Sequence, residues 1–345
     1  MTGPDSSPVT GRSTDHLLEH SGVKGVLISA SRDPDAKLTF VVTGSEPASG
    51  ERLAVKIPAT AAAGTAVDRE GRMLVEIRRL GLGSLAATVP RYVESLTVDE
   101  RPVLVATAVP GTPMAQSYHR FGHTARPASV RGDFEAALSW LTAFQTTTSR
   151  ADTAPDWPTQ VLDAVRGRWD GHRALPAAVE RLQQARTSLA DAPVPTTAVH
   201  GDFWFGNLLT EAGTVSGVVD WEAAAPHGSP LPDLARFVIS YGLYLDRHTC
   251  PGRRVLGHAG LSRTGLTPGI AYTLCGSGWF PALARRMLAR HIAGLGMPPA
   301  CWYDVALAGV GEVAASANDD DFGAAHLEQL AALPVRARRH RRDRG

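Results

Sequence analysis

Short apolar runs, each bounded by turn-forming residues, dominate the first third of the chain. Five of them follow one another, at 26–28, 38–42, 52–57, 92–94 and 102–107. Short apolar runs with tight polar connections are typical of strands paired with their chain neighbours. The pattern therefore predicts a small antiparallel sheet, interrupted after the third strand by a segment of different periodicity.

That segment and most of the later chain have a helical period. At 67–80 the residues Met73, Leu74, Ile77 and Leu80 recur at intervals of three and four, which places them on one helix face. After a Pro-Gly break at 110–113 the same periodicity predicts further helices at 132–146, 159–169, 177–190, 232–245, 280–294, 303–316 and 323–333. Strands followed by many helices indicate an α+β fold with two lobes.

These patterns divide the chain into four parts. Residues 1–14 are polar and predicted to be disordered, 15–110 form a sheet-containing N-lobe, and 111–335 form a mostly helical C-lobe. The tail at 336–345 holds six arginines, which predicts a solvated, disordered segment. The alternative for the tail is a contact with nucleic acid or another acidic surface.

Composition narrows the class of protein. The 345 residues are 43% hydrophobic and 20% charged, enough to bury a core. The net charge of +1 gives no drive toward nucleic acid or an anionic membrane. Three cysteines form no disulfide framework, no run of 18 apolar residues occurs, and the first residues lack an apolar signal region. We therefore expect a soluble cytoplasmic protein with no membrane partner.

Polar residues that can carry chemistry concentrate in one stretch. His200-Gly201-Asp202 is followed by Asn207, a short predicted hairpin, and Asp220 in Asp-Trp-Glu. Because a hairpin returns close to its start, we expect Asp220 to lie near Asn207. A carboxylate and an amide oxygen suit Mg²⁺, and Asp202 is placed to act on a hydroxyl group. The arrangement is typical of phosphoryl transfer.

The stretch resembles the aminoglycoside phosphotransferases and related small-molecule kinases, which share the protein-kinase-like fold. The resemblance rests on H-G-D-x-x-x-x-N-L-L, on D-W-E, and on Pro-Asp-Leu-Ala at 232–235. It covers about residues 22–245 and is sharpest at 197–236. It implies that Asp202 is catalytic, that Asn207 and Asp220 bind Mg²⁺, and that His200 and Asp233 support the loop structurally.

The sequence around Lys56 supports the same resemblance. It lies in Leu-Ala-Val-Lys-Ile, like the kinase lysine that contacts the α- and β-phosphates, and only three of the 35 basic residues are lysines. A helical rotation of 100° per residue places Glu70 within the apolar arc and Glu76 at its edge, so we expect Glu70 to pair with Lys56. The alternative is an edge-strand lysine that extends to solvent. The resemblance also implies that backbone groups near Thr107 and Val109 contact the base.

The sequence departs from protein kinases in several places. No G-x-G-x-x-G motif opens the first strands, and no A-P-E follows Asp220. Glu222 replaces the glycine of D-F-G, and it could reach the metal or substrate or merely cap the next turn. Weaker patterns have simpler explanations: Gly81-x-Gly as a helix stop, His119 and His123 without a metalloprotease motif, and the Asp319–Asp321 run as a solvated turn. The aromatics Trp279, Phe280, Trp302 and Tyr303 are expected in the core, with an acceptor pocket as the alternative.

The predicted function is transfer of the γ-phosphate of ATP or GTP, with Mg²⁺, to a hydroxyl of a small molecule such as an antibiotic, sugar or amino alcohol. Residues 229–335 contain eight acids and eight arginines, which gives no preference for a polycationic acceptor. The alternatives are an inactive kinase-fold protein with a binding or regulatory role, and a nucleic-acid-associated protein that uses the arginine tail. The oligomeric state stays open.

Overall fold

The computed structural model describes residues 24–30, 36–43, 52–246, 253–262 and 267–335. The predicted disordered segments at 1–14 and 336–345 lie outside these ranges. The described residues form two compact units. Unit 1 combines those up to 112 with 209–226, and unit 2 combines 113–208 with those from 227 onward. The hairpin at 209–226, which the sequence pattern assigned to the C-lobe, thus groups with the sheet-containing unit.

Unit 1 contains the predicted antiparallel sheet. Its strands are β1 (Lys24–Ala30), β2 (Lys37–Thr43), β3 (Arg52–Pro58), β4 (Tyr92–Val98) and β5 (Arg101–Thr107). Their order is β1-β2-β3-β5-β4, and every neighbouring pair is antiparallel. Each of the five apolar runs lies within one of these strands.

Helix α1 (Ala61–Arg79) packs its apolar face on this sheet. Leu74 and Ile77 are completely buried, and burial of such side chains stabilises a fold by about 1.5–3 kcal/mol each. The helix begins six residues before the predicted start, because the Thr60 hydroxyl accepts a hydrogen bond from the Ala63 N–H at 3.1 Å. It ends at a turn in which Gly81 has a φ of +74°, so the Gly-x-Gly pattern is a helix stop.

Unit 2 is mostly helical. Its helices are α2 (Met114–Tyr118), α3 (Pro127–Thr148), α4 (Trp157–Arg168), α5 (Leu175–Leu189), α6 (Leu231–Leu243), α7 (Pro268–Cys275), α8 (Trp279–Gly294), α9 (Trp302–Ser316) and α10 (Asp320–Ala332). The remaining strands of the two units are short: β6 (Thr112–Pro113), β7 (Arg150–Thr153), β8 (Pro195–Val199), β9 (Leu208–Glu211), β10 (Thr214–Val218), β11 (Ala225–Gly228), β12 (Arg254–Val255) and β13 (His258–Ser262). They form three small sheets, ordered β10-β9-β6, β11-β8-β7 and β12-β13. The predicted α+β class is confirmed.

Helix α6 lies at the centre of unit 2. Nearly all of its residues are buried, as expected for a helix that is apolar on all sides. It can approach α9 closely because Gly309 has no side chain, and a Cβ there would lie 2.5 Å from the Cβ of Ala235. The aromatics Phe280, Trp302 and Tyr303 are buried in the core. The first turn of α6 therefore has a fixed position, and it carries Asp233.

None of the helices in the described part of the chain combines the length and apolar character needed to cross a membrane.

Candidate active site

In unit 1, Lys56 lies at the centre of a buried charge cluster. Strand β3 and helix α1 bring its Nζ to 2.7 Å from both carboxylate oxygens of Glu70. The same amine forms an ion pair with Asp220. Lys56 is only 7% exposed and Glu70 only 1%. Glu76, the other candidate partner, pairs with Arg79 on the helix surface instead.

The carboxylates keep Lys56 charged in this environment. Burial alone would lower the pKa of its amine, but the fields of Asp220 and Glu70 outweigh burial, and the pKa is raised. A buried lysine with two carboxylate partners is therefore a fixed cation. It is not the solvent-extended lysine that the sequence left as an alternative.

Asp220 adopts an uncommon backbone conformation. Its φ and ψ are both 64°, in the left-handed region, and it begins a short 3-10 turn at 221–223. Aspartate tolerates this region better than most residues, and such conformations concentrate at functional sites. The completely buried Trp221 anchors the turn, because its Nε1 donates to the Val218 carbonyl at 2.8 Å. Its backbone N–H donates to Glu70 at 3.3 Å, so Glu70 contacts both Lys56 and the Asp220 turn.

Three carboxylates of unit 1 form a donor set that suits a hard divalent cation. Oxygens of Glu70, Asp220 and Glu222 lie within 4.8 Å of one another, and Mg²⁺ prefers carboxylate oxygens. Glu222 forms an ion pair with Lys37. Its second oxygen is buried without a hydrogen-bond partner among the described residues. The residues present therefore fit a magnesium ion, and the contacts of Glu222 favour a role at the site over a role as a turn cap.

In unit 2, Asp233 fixes the backbone of the loop that follows β8. Its two carboxylate oxygens accept hydrogen bonds from the N–H groups of His200, at 2.7 Å, and Gly201, at 2.8 Å. Burial raises the pKa of the Asp233 carboxyl, while His200 and the two N–H donors act against that shift. Gly201 has a φ of +81°, which favours glycine at this position. His200 is completely buried, and its Nδ1 accepts from the Asp202 N–H at 3.2 Å.

The Asp202 carboxylate is held from two sides. Arg236 on α6 donates to Oδ1 through Nε at 3.0 Å and Nη2 at 2.7 Å. Asn207 donates through Nδ2 to Oδ2 at 3.0 Å and to the Asp202 carbonyl at 2.9 Å. About a third of the Asp202 side chain stays exposed to solvent. Arg236 was not predicted from the sequence, although its position three residues after Asp233 on one helix was an available signal.

The weaker candidates from the sequence, His123 and Asp319, have hydrogen-bond partners within the protein. His123 pairs with Asp133 at 2.7 Å, and Asp319 caps α10 by accepting from the Phe322 N–H at 2.7 Å. Neither residue requires a metal to explain it. The Thr107 N–H donates to the Arg91 carbonyl at 2.9 Å, so this group is already used within unit 1. Thr107 and Val109 also line a cavity of about 250 Å³.

Comparisons with known proteins place this geometry in a family. The sequence model described as "Phosphotransferase enzyme family" (APH) matches residues 36–253. No curated protein matches. Solved structures with a similar fold include aminoglycoside phosphotransferase APH(4)-Ia, at 12% identity and a TM-score of 0.55, covering 92% of this chain and 97% of that one. A thermostable mutant of that enzyme, in ternary complex with AMP-PNP and hygromycin B, has 14% identity and a TM-score of 0.55, with 92% and 96% covered.

These neighbours have the protein-kinase-like fold, so the predicted fold is confirmed along with its α+β class. The family match covers more than half of the chain and includes every residue of both charged clusters described above. This chain therefore belongs to the phosphotransferase enzyme family.

Proposed function

We propose that this protein transfers the γ-phosphate of ATP or GTP to a hydroxyl group of a small molecule. The observation that carries the proposal is the pair of prearranged clusters: Lys56 with Glu70 and Asp220 in unit 1, and Asp202 with Asn207 in unit 2. Phosphoryl transfer depends mainly on positioning and charge neutralisation, and these clusters supply both.

The charged groups have separable roles. Lys56, held by Glu70, binds the α- and β-phosphates. Asp220 and Asn207 would hold Mg²⁺, and the ion would supply positive charge to neutralise the phosphates. The Asn207 amide nitrogen already donates to Asp202, which leaves its carbonyl oxygen to contact the metal. Asp202 accepts the proton of the acceptor hydroxyl and orients its oxygen toward the phosphate, while Arg236 fixes the carboxylate.

The base is proposed to bind near Thr107 and Val109. Because the N–H groups of Thr107 and Ala108 already donate to Arg91 and Arg52, the contacts would come from carbonyl groups of this segment or from Val109. The structures of APH(4)-Ia with ADP and with AMP-PNP support an adenine nucleotide as donor. The acceptor is proposed as a polyhydroxylated small molecule, and hygromycin B in the same structures is one example of that class.

The test is a panel of small-molecule alcohols incubated with γ-labelled ATP or GTP and Mg²⁺. We expect label transfer to at least one acceptor. Asp202→Ala should abolish transfer and leave nucleotide affinity within about twofold, whereas Asp220→Ala should abolish both transfer and Mg²⁺-dependent nucleotide binding.

Asp68→Ala is the matched control. Asp68 is an exposed carboxylate of α1 that pairs with Arg72 at the surface, so its variant should retain full activity. Near-normal turnover in Asp202→Ala would show that the proposed role of this residue is wrong. The intact set of charged groups gives no support to the alternative of an inactive binding or regulatory protein. Nucleotide binding without phosphate transfer to any acceptor would favour that alternative.

A further inference from the structure

A second lysine of unit 1 has an environment like that of Lys56. Lys37, the first residue of β2, forms an ion pair with Glu222. The side chains of Lys37 and Glu222 are 13% and 24% exposed, so this pair is largely withdrawn from water. Ordering and desolvating such a pair at the start of a strand has a cost, which calls for a role beyond surface charge.

Strand register places the two lysines on the same side of the sheet. In the β2–β3 pair Thr39 lies opposite Lys56, and Lys37 lies two residues before Thr39. Side chains two residues apart on a strand point the same way, so Lys37 and Lys56 are diagonal neighbours. Their carboxylate partners, Asp220 and Glu222, are likewise two residues apart. The result is a ladder of two ion pairs between the sheet and the Asp220 turn.

The connection before β2 lacks the residues that a backbone phosphate cradle requires. Kinases of the glycine-rich type bind phosphates with main-chain N–H groups, and glycine allows the close approach. Here no glycine occurs between Gly25 and Gly44, and the connection contains Pro34, which has no N–H. A side chain can donate to phosphate in place of the backbone, and Lys37 is the first residue of β2.

We propose that Lys37 is a second phosphate-binding residue, which contacts the terminal phosphates of the nucleotide, and that Glu222 is its positioning residue. This inference rests on the proposed function. The two lysines and three carboxylates of the cluster carry a formal charge of −1. Glu222 holds Lys37 in place before nucleotide binds, and the terminal phosphates take over as the partner of Lys37 afterwards. The buried second oxygen of Glu222 is then available to the metal.

The experiment measures equilibrium binding of three probes: Mg²⁺–AMP-PNP, Mg²⁺–tripolyphosphate and adenosine. Lys37→Met should weaken the first two by about 10- to 100-fold, the effect expected for a lost charge-assisted hydrogen bond, and leave adenosine unchanged. Lys37→Arg should restore most of the loss. Lys24→Met is the matched control, because Lys24 lies opposite Thr43 in strand register, at the other end of β2 from Lys37. This variant should bind all three probes normally.

Glu222→Gln tests, without catalysis, whether Glu222 and phosphate are alternative partners of Lys37. Removing the competing carboxylate should tighten metal-free tripolyphosphate binding several-fold, and adding Lys37→Met should cancel that gain. If Lys37→Met fails to fold, Lys37→Met/Glu222→Met avoids an unpaired buried carboxylate, and it should show the same selective loss of phosphate binding.

The outcomes separate this inference from the proposed function. Unchanged AMP-PNP and tripolyphosphate binding in Lys37→Met, or an equal loss for adenosine, would overturn the role of Lys37 even if phosphate transfer is observed. A phosphate-selective loss without transfer to any acceptor would uphold Lys37 and count against the proposed function. A wild-type protein that binds none of the probes would contradict both.

Discussion

Replacing Lys56 with methionine keeps much of the side-chain volume but removes the ammonium group that contacts Glu70 and Asp220. Glu70 is then a carboxylate that is 1% exposed. It retains the Trp221 N–H, at 3.3 Å, as a donor. A single long hydrogen bond does not compensate a buried charge, so this variant should lose stability even before any nucleotide is considered.

The size of the loss in unfolding free energy depends on which buried charge is left without its partner. Removing one partner of a buried ion pair costs about 3–5 kcal/mol, and Lys56→Met belongs to this class. Glu70→Gln should cost only about 1–2 kcal/mol, because glutamine still accepts hydrogen bonds and Lys56 keeps Asp220. The Lys56→Met/Glu70→Gln double variant has neither buried charge. Its loss in unfolding free energy should therefore be smaller than the sum of the two single losses by about 2 kcal/mol or more.

The assay is a double-mutant cycle measured by urea unfolding without nucleotide, with the free energy of unfolding extrapolated to water. Arg79 and Glu76 provide the matched control on the same helix. Their side chains are 69% and 43% exposed and lie 2.6 Å apart. Exposed pairs of this kind contribute little, so the control cycle should give a coupling below about 0.5 kcal/mol.

Additive losses at Lys56 and Glu70, within about 0.5 kcal/mol, would refute the reasoning. They would mean that Glu70 is neutral or solvated in the folded protein. The pH dependence gives a second check. Burial raises the pKa of Glu70, and without Lys56 nothing comparable opposes this. The stability deficit of Lys56→Met should therefore shrink as the pH is lowered and the carboxyl takes up a proton.

Three further predictions test unit 2. Arg236→Met should lower kcat about 10- to 100-fold with unchanged nucleotide affinity, because the Asp202 carboxylate loses two charge-assisted hydrogen bonds; steady-state kinetics would contradict this if only KM changed. Burial raises the pKa of Glu312 to about 7, although Arg236 acts against the shift. The folded protein thus keeps a proton there that the unfolded chain has released, and the stability of wild type relative to Glu312→Gln should fall by about 1–3 kcal/mol as the pH rises from about 4.5 to about 7. A constant difference in unfolding free energy across that range would count against it. Gly309→Ala should destabilise the protein by about 1–3 kcal/mol in thermal unfolding, because its Cβ would lie 2.5 Å from another Cβ. Gly132→Ala on α3 meets nothing within 4 Å, and it should be neutral or stabilising.

Local patterns in the sequence were enough to predict most elements of the fold. Each of the five strand predictions lies in an observed strand, because alternation and turn residues act over only a few positions. Helix starts were less accurate. The residues Ala61–Ala63 carry no apolar period, and the Thr60 cap that begins α1 is a single side-chain contact. The pairing of Lys56 with Glu70 was predictable because one helical rotation rule decides which side of α1 faces the sheet.

Only the tertiary structure revealed Arg236 on Asp202 and Lys37 on Glu222, contacts between residues 34 and 185 positions apart. No periodicity connects such residues. Arginines are numerous in this chain, so the identity of Arg236 carried little information without its distance to Asp202. Lys37 became informative only once strand register placed it beside Lys56. The sequence by itself determined which chemical groups are present and which local elements carry them. Packing decided which of these groups meet, because side chains distant in sequence are brought together by the burial of apolar surfaces elsewhere in the fold.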